Sequence, residues 1–386
     1  MKLFSKIKLK SKIIWIILLL VLLIIAVFIK YNFNIHADVM ATTKNYVWVA
    51  DTQGNVVNKI EITNKTVPVM TQLPNGSVHQ TGTTNSSVGT IVKSVRVNYP
   101  IGVVVDTFGN VWATSETSNA VVEIDSNTAN IIKTYAVGRT PTNITADKFG
   151  NVWVINSGET TITKLSHSGG VVQTYDVGSK PNDVAIDSVG NAWVTRNTLV
   201  ARGAITKIDH QTGAQTEPIA QVWRAPTDIV IDKFDNIWVT NPRDDQVYKY
   251  NGATGAQMKV INLGQPSDIA TDSAGNIWIL VDDYTVSKYN NNGDKVFSSS
   301  VSMTTIPAAI AVDNSDNVWT TSGVLAQFNG ANGAKISEYS AGTYPYGIAF
   351  TYETISNTRI IRVIIGWDEN GQSKTQEFKS ILSSIK

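Results

Sequence analysis

The chain has 386 residues, 42% of them hydrophobic and 16% charged, which is enough apolar material for one large core or two ordinary ones. It has no cysteine, which excludes disulfide frameworks, thiolate zinc sites and cysteine nucleophiles, so stability must come from packing. The formal charge of +1 hides an asymmetry: Lys2, Lys6, Lys8, Lys10, Lys12 and Lys30 come first with no acid among them, and beyond them 26 basic residues face 31 acidic ones, about −5, a balance that excludes nucleic acid as a partner.

The first element is an unbroken apolar run from Ile13 to Ile29. As a helix it reaches about 25 Å and nearly crosses a hydrocarbon core of roughly 30 Å. Five lysines precede it, and basic flanks stay on the cytoplasmic side, so everything beyond Lys30 is expected outside the cytoplasm. Ile35-His36-Ala37 leaves a cleaved signal peptide as the alternative, and either reading exports the rest of the chain.

Alternating strands begin at Tyr46-Val47-Trp48-Val49 and continue at Asn55-Val56-Val57-Asn58-Lys59-Ile60. From about Ile62 to Thr90 the sequence turns rich in Thr, Asn, Ser and Gly, which predicts a long exposed loop. A smaller insertion surrounds Leu199 to Gly203.

The middle of the chain is one unit repeated. Pro100, Pro141, Pro181, Pro226, Pro266, Pro307 and Pro345 recur at spacings of 41, 40, 45, 40, 41 and 38 residues. That period suits four short strands and is too brief for a strand-helix-strand pair. Each proline opens a strand such as Pro226-Thr227-Asp228-Ile229-Val230-Ile231-Asp232, a tight turn follows, and a second strand carries tryptophan. Trp112, Trp153, Trp193, Trp238, Trp278 and Trp319 each sit twelve residues after a repeat proline, and Trp48 has the same surroundings. Seven tryptophans predict seven blades, each indole in the core. A third strand alternates around a lysine or its equivalent, as in Gln246-Val247-Tyr248-Lys249-Tyr250, and a fourth, such as Val171-Val172-Gln173-Thr174-Tyr175, forms the outer edge.

The two ends complete each other. The first tryptophan has no proline strand before it, and the last proline strand, Pro345 to Phe350, has no tryptophan after it. Pairing them closes a ring and removes the exposed edges of an open array. Beyond, Arg359 to Trp367 alternates like a strand, while Phe378, Ile381, Leu382 and Ile385 have helical spacing, so an extra strand or hairpin and then a short helix are expected. The expected fold is therefore all-β: a seven-bladed β-propeller of four-stranded blades, closed by its N- and C-terminal strands and preceded by a transmembrane or signal helix. Residues 1–43 form the basic stub, hydrophobic helix and linker, 44–352 the propeller, and 353–386 the C-terminal extension.

In a propeller the innermost strands line a central channel, so the residue two after each repeat proline should ring one mouth. These are Gly102, Asn143, Asp183, Asp228, Asp268, Ala309 and Gly347. Three carboxylates so close either raise their pKa values or recruit a cation, and Asp183, Asp228 and Asp268 are the candidate oxygen ligands for axial calcium or magnesium. The alternative is that each bonds backbone N–H groups nearby. Turns after the tryptophan strands open on the same face and add Arg243, Asp245, Asp282 and Asp283 as candidate ligand-binding residues. The other repeated acids, Asp106, Asp147, Asp187, Asp232, Asp272 and Asp313, occur in nearly every unit and read as turn caps. His36, His79, His167 and His210 are placed away from the axis, and no phosphate loop, nucleophile elbow or metal-spaced His pair is present.

Units such as Pro266-Ser267-Asp268-Ile269-Ala270-Thr271-Asp272-Ser273-Ala274-Gly275-Asn276-Ile277-Trp278 resemble NHL-type propellers, and more closely the virginiamycin B (streptogramin) lyase-like branch, over residues 44 to 352. For true lyases the resemblance implies magnesium-dependent opening of a cyclic depsipeptide by elimination, with histidines and a glutamate at the channel mouth. The mouth positions here hold Gly, Asn, Asp and Ala, and strand ends such as Trp193-Val194-Thr195-Arg196 lack that glutamate, so no catalytic residue is carried over. The expected function is that of an extracytoplasmic binding or interaction propeller, membrane-anchored through 13–29 or secreted. Its ligand, a carbohydrate, a peptide or a surface protein, is expected to meet the face bearing Asn143, Asp183, Asp228 and Asp268. The alternatives are a lyase or lactonase-type enzyme with an axial divalent cation, and a structural envelope protein.

Overall fold

The computed structural model describes residues 34–72, 78–168, 170–197, 203–222, 226–282, 285–300, 309–369 and 372–383. Ile13–Ile29 lies outside these residues, and among them no helix is long and apolar enough to cross a membrane. The chain divides into two compact units, Asn45–Tyr352 on one hand and Met1–Lys44 with Glu353–Lys386 on the other.

The larger unit is a ring of seven antiparallel blades. Six are runs of four consecutive strands, as in the fifth: Ile229–Ile231, Asn236–Asn241, Gln246–Asn251 and Gln257–Asn262. The first blade is composite, because the strand Pro345–Glu369 pairs with Asn34–Asp51, which pairs with Val56–Gln72 and then Val78–Arg96. The proline strand at the end of the sequence thus supplies the innermost strand that the beginning lacks.

Seven interfaces hold the ring, and each is built around one tryptophan. Trp193 packs with Ile229, Ile237, Val239 and Tyr248 of the following blade, and Trp238 packs with Ile269, Ile277 and Ile279 of the blade after that. Closure uses the same device: Trp319 of the seventh blade meets Val47, Val49 and Ile60 of the first. All seven indoles are at most 2% exposed. A side chain of this size buries on the order of 200 Å², so truncating one should cost about 3–5 kcal/mol.

Indole burial leaves an N–H that needs an acceptor. The repeated aspartates provide it. Asp232 Oδ1 accepts from the backbone N–H groups of Phe234 and Asn236 and so caps the turn, while Oδ2 accepts from Trp238 Nε1 at 2.9 Å. The same indole bond recurs from Trp112 to Asp106, Trp153 to Asp147, Trp193 to Asp187, Trp278 to Asp272 and Trp319 to Asp313. Lysine on the third strand covers the other side of the ring: Nζ of Lys164, Lys207, Lys249 and Lys288 stands 4.7 to 4.9 Å from its tryptophan ring centroid. Lys249 Nζ and Lys288 Nζ then donate to carbonyls of the next blade, Asn291 O and Gly330 O.

Two sequence expectations are corrected. The stretch expected as a loop from 62 to 90 is largely an antiparallel arm, in which pairing continues from Ile62↔Gly89 out to Gln72↔Val78, with a bulge at Val69/Met70. Its many Thr and Val residues favour extended backbone, a preference that the polar composition masked. In the smaller unit, Phe378, Ile381 and Leu382 lie in the strand Gln372–Ser383, paired with Thr358–Glu369, and Ile385 lies outside the described residues. A β-branched partner run, Ile360-Ile361-Arg362-Val363-Ile364-Ile365, overrides the short helical period.

Candidate functional site

Strand direction sorts the loops. Each innermost strand starts at the face where the connections between blades lie and runs to the opposite face, where the turns into the tryptophan strands lie. Residues two beyond the repeat prolines therefore share one end of the ring. Gly102, Asn143, Asp183, Asp228, Asp268, Ala309 and Gly347 all line a single axial cavity of about 350 Å³. Its walls differ. The fourth, fifth and sixth blades contribute the carboxylates, whereas the first and second contribute Ile101, Gly102, Tyr346 and Gly347.

Threonines two places after the tryptophans fix the backbone of this rim. Thr195 Oγ1 accepts from the Asp183 N–H at 3.0 Å, and Thr240 Oγ1 from the Asp228 N–H at 3.1 Å. Side chains then stitch each blade to the inner strand of the next. Thr52 donates to Pro100 O, Thr114 to Thr142 O, Asn143 to Asn182 O, Asn182 to Pro226 O and Thr321 to Tyr346 O. From the fourth blade to the seventh the aspartates also do this work, as acceptors: Asp183 takes the Ile229 N–H at 3.1 Å, Asp228 the Ile269 N–H at 2.9 Å and Asp268 the Ile310 N–H at 2.7 Å.

The carboxylates also meet each other. The Asp228 carboxyl stands between those of Asp183 and Asp268 and feels the charge of both. Burial and the adjacent charges of Asp268 and Asp183 push the Asp228 carboxyl well above the ordinary carboxylate range. Burial also raises Asp183 and Asp268, although their hydrogen bonds with Asp228 and with peptide N–H groups work against that rise. Of the three, Asp228 alone has a carboxylate neighbour on either side.

The carboxylate oxygens accept from the peptide N–H groups of Ile229, Ile269 and Ile310, and among the described residues no three His, Cys, Asp or Glu side chains are gathered to hold a metal ion. The carboxylates expected as calcium or magnesium ligands thus form a row along one wall of the channel.

The outer candidates are not brought to the channel. Arg243 and Asp245 are exposed, and Asp245 Oδ1 accepts from the Gln265 N–H while the Asp282 N–H donates to Gln265 O, so these acids shape the connection into the sixth blade. Asp283 lies outside the described residues. Sequence reasoning missed the tyrosines: Tyr344 and Tyr346 rings are 5.7 Å apart, Tyr346 lines the cavity, and its phenol is raised by burial and by Tyr344, Tyr99 and Glu116. The signal was Tyr344-Pro345-Tyr346, where most other units place small or polar residues around the proline. His167 and His210 sit on the far face, His167 tilted against Phe108 and His210 stacked on Phe149.

Ring, blades and axial cavity together define an all-β, seven-bladed propeller with one chemically asymmetric channel mouth. No protein-family model matches the sequence, and no curated protein matches it. Among solved structures the chain is similar to a streptogramin B lyase, with 17% identity, a TM-score of 0.58, and 80% of this chain and 98% of that one covered. It is similar also to virginiamycin B lyase from Staphylococcus aureus, at 15% identity and a TM-score of 0.55 over 75% of this chain and 96% of that one. Apo AztD from Citrobacter koseri gives 13% and 0.58 over 81% and 99%. At these identities the likeness is one of fold.

Proposed function

We propose that this protein is an extracytoplasmic, membrane-anchored binding propeller whose channel mouth receives a ligand carrying a protonated amine, such as a basic peptide or an amino sugar on a surface polymer. The observation that carries the reading is the row Asp183, Asp228 and Asp268 along one wall of an open cavity, facing Tyr346 on the other. An ammonium group entering there gains three acceptors, and it removes the reason for Asp228 to keep its proton. The anchoring part rests on the run Ile13–Ile29 behind five lysines.

Calorimetric titration with a short lysine peptide and with glucosamine oligomers, each against its N-acetylated form, tests it. Binding of the amine forms only, with proton release and with loss in a D183N/D228N/D268N variant, is expected. Equal binding of acetylated ligands, or none of either, sinks the reading.

A second reading, a lyase or lactonase-type enzyme, is favoured by the shared fold with streptogramin B and virginiamycin B lyases. Against it, no histidine or glutamate is among the described residues lining the channel. Incubation with a cyclic depsipeptide and with lactones, followed by mass spectrometry, separates the two.

A further inference from the structure

Among the described residues, the exposed large apolar side chains are concentrated on the face away from the channel mouth. Phe108, Phe149 and Phe234 sit in the turns between first and second strands and are 61%, 47% and 59% exposed, with Val189 at the matching turn of the intervening blade 52% exposed. They occupy four adjacent blades. A second set rings the same end, where the outer strands begin: Ile131 and Ile132, Val171 and Val172, then Met258 and Val296, all between 48% and 55% exposed. Ile91, Val92 and Ile336 extend it round the first and seventh blades. Among the described residues, Tyr99 alone of the exposed large apolar side chains lies at the opposite, channel-mouth face.

Lysine accompanies this belt. Lys93, Lys133, Lys259, Lys295 and Lys335 each adjoin one of its apolar residues in sequence, and Lys148 and Lys233 stand beside Phe149 and Phe234, each Nζ about 5 Å from the ring centroid. Lys259 and Lys335 are paired with Asp294 and Glu338. Apolar side chains flanked by long cationic stems suit a boundary between hydrocarbon and phosphate headgroups. Solitary exposed apolar residues need no explanation, but a collection confined to one face does.

The path of the chain names the occupant. Tryptophan strands run away from this face, so the chain enters the first blade at Asn45 on this side, and the last proline strand, running the other way, leaves on it after Tyr352. Lys30, just past the end of the apolar run, is separated from Asn45 by residues 31–44, a stretch that fully extended reaches at most about 50 Å. We infer that this Phe- and Lys-bearing face of the propeller rests on the lipid surface, so that the channel mouth is presented away from the membrane. The inference rests on the proposed anchoring of residues 13–29, and goes beyond it by assigning the folded ring its own lipid contact.

The chain has no cysteine, so single reporters can be placed cleanly. Full-length V172C and F234C variants, with K180C on the opposite face as control, carry an environment-sensitive fluorophore and are reconstituted into phosphatidylcholine vesicles with and without phosphatidylglycerol. The expected result is a several-fold fall in iodide quenching and a blue shift at positions 172 and 234, kept at about one chain per vesicle, with position 180 unchanged. Labels at 172 and 234 as open to iodide as that at 180 overturn the inference, and so does shielding that vanishes on dilution to one chain per vesicle, which would assign the face to a second copy. Alkaline extraction of the same vesicles keeps the two readings apart: protein retained in the pellet with open labels rejects the lipid contact alone, whereas protein released rejects the anchor.

Discussion

Trp48 Nε1 donates to Thr351 Oγ1 at 2.9 Å, joining residues 303 apart in the sequence. Thr351 stands six places after Pro345, where the other six units carry the aspartate that accepts the indole proton. The closing blade therefore reproduces the indole contact with a neutral acceptor contributed by the far end of the chain. Replacing it with T351V should lower stability by about 1–2 kcal/mol, read as a lower urea midpoint, because a buried donor is left unmet. T351D, which restores the acceptor used elsewhere, should retain most of the stability. Equal loss in both variants would show that the contact contributes nothing to closure.

Asp228 gives a pH dependence of definite sign. An acid whose folded pKa is raised binds its proton more tightly when folded, so its contribution is full below the unfolded value of about 3.9 and is lost as pH rises through the raised folded value. D228N mimics the protonated form. Its thermal midpoint should exceed the native one at neutral pH, by a stability on the order of 1 kcal/mol, with the advantage shrinking towards pH 4. A variant less stable at every pH contradicts a raised Asp228 carboxyl.

Asp272 works in the opposite direction. Burial opposes its ionisation, but hydrogen bonds from Asn276 and Lys288 and the Lys288 charge prevail and hold the carboxyl below the usual range. Lys288 Nζ is 3.0 Å from Asp272 Oδ2, and both side chains are largely buried. Stability from this pair is present above about pH 3.9 and lost as pH falls through the depressed value. K288M leaves a buried charge without its partner and should cost about 3–5 kcal/mol. Acid unfolding followed by tryptophan circular dichroism should move to higher pH, and an unchanged acid midpoint would count against the pair.

Beyond Ile62 and Gly89 the arm pairs Thr63–Gln72 with Val78–Val88, outside the ring's core, and a paired hairpin of this kind contributes little stability of its own. Replacing residues 64–87 with an Asn-Gly turn should leave the melting temperature within a few degrees of the native value. A collapse of the melting transition would mean that the arm supports the ring.

The ring was legible because its determinants are local and repeated: a proline, a turn and a tryptophan at fixed spacing identify six blades and the leftover pair the seventh, and counting two places from each proline finds one channel-lining residue per blade. What the carboxylates do there was not legible. Whether Asp183 faces a cation or the Ile229 N–H depends on how neighbouring blades are offset, and no spacing encodes that. Polar composition concealed the arm, since strand pairing satisfies backbone groups whatever the side chains are. Phe378, Ile381 and Leu382 misled for a related reason: a short helical period yields to a strand partner elsewhere in the chain. Turn chemistry hid a further link. Asp235 and Asp316 take the positive φ that glycine holds in four other units, and their carboxylates reach back to Ser188 and Ser273 of the preceding blade.

The composite first blade also determines how the molecule bears mechanical load. Tension arriving along the polypeptide ahead of Asn45 acts parallel to a strand bonded on both sides, so the ladder from Asn45↔Ile62 to Asp51↔Val56 must slip as a whole instead of peeling pair by pair. At the strand's far end Asp51 accepts from the N–H groups of Gly54, Thr343 and Tyr344, which pins it to the crossover entering the closing strand. A propeller tethered by its leading end thus pulls on its own clasp in the direction in which that clasp is strongest.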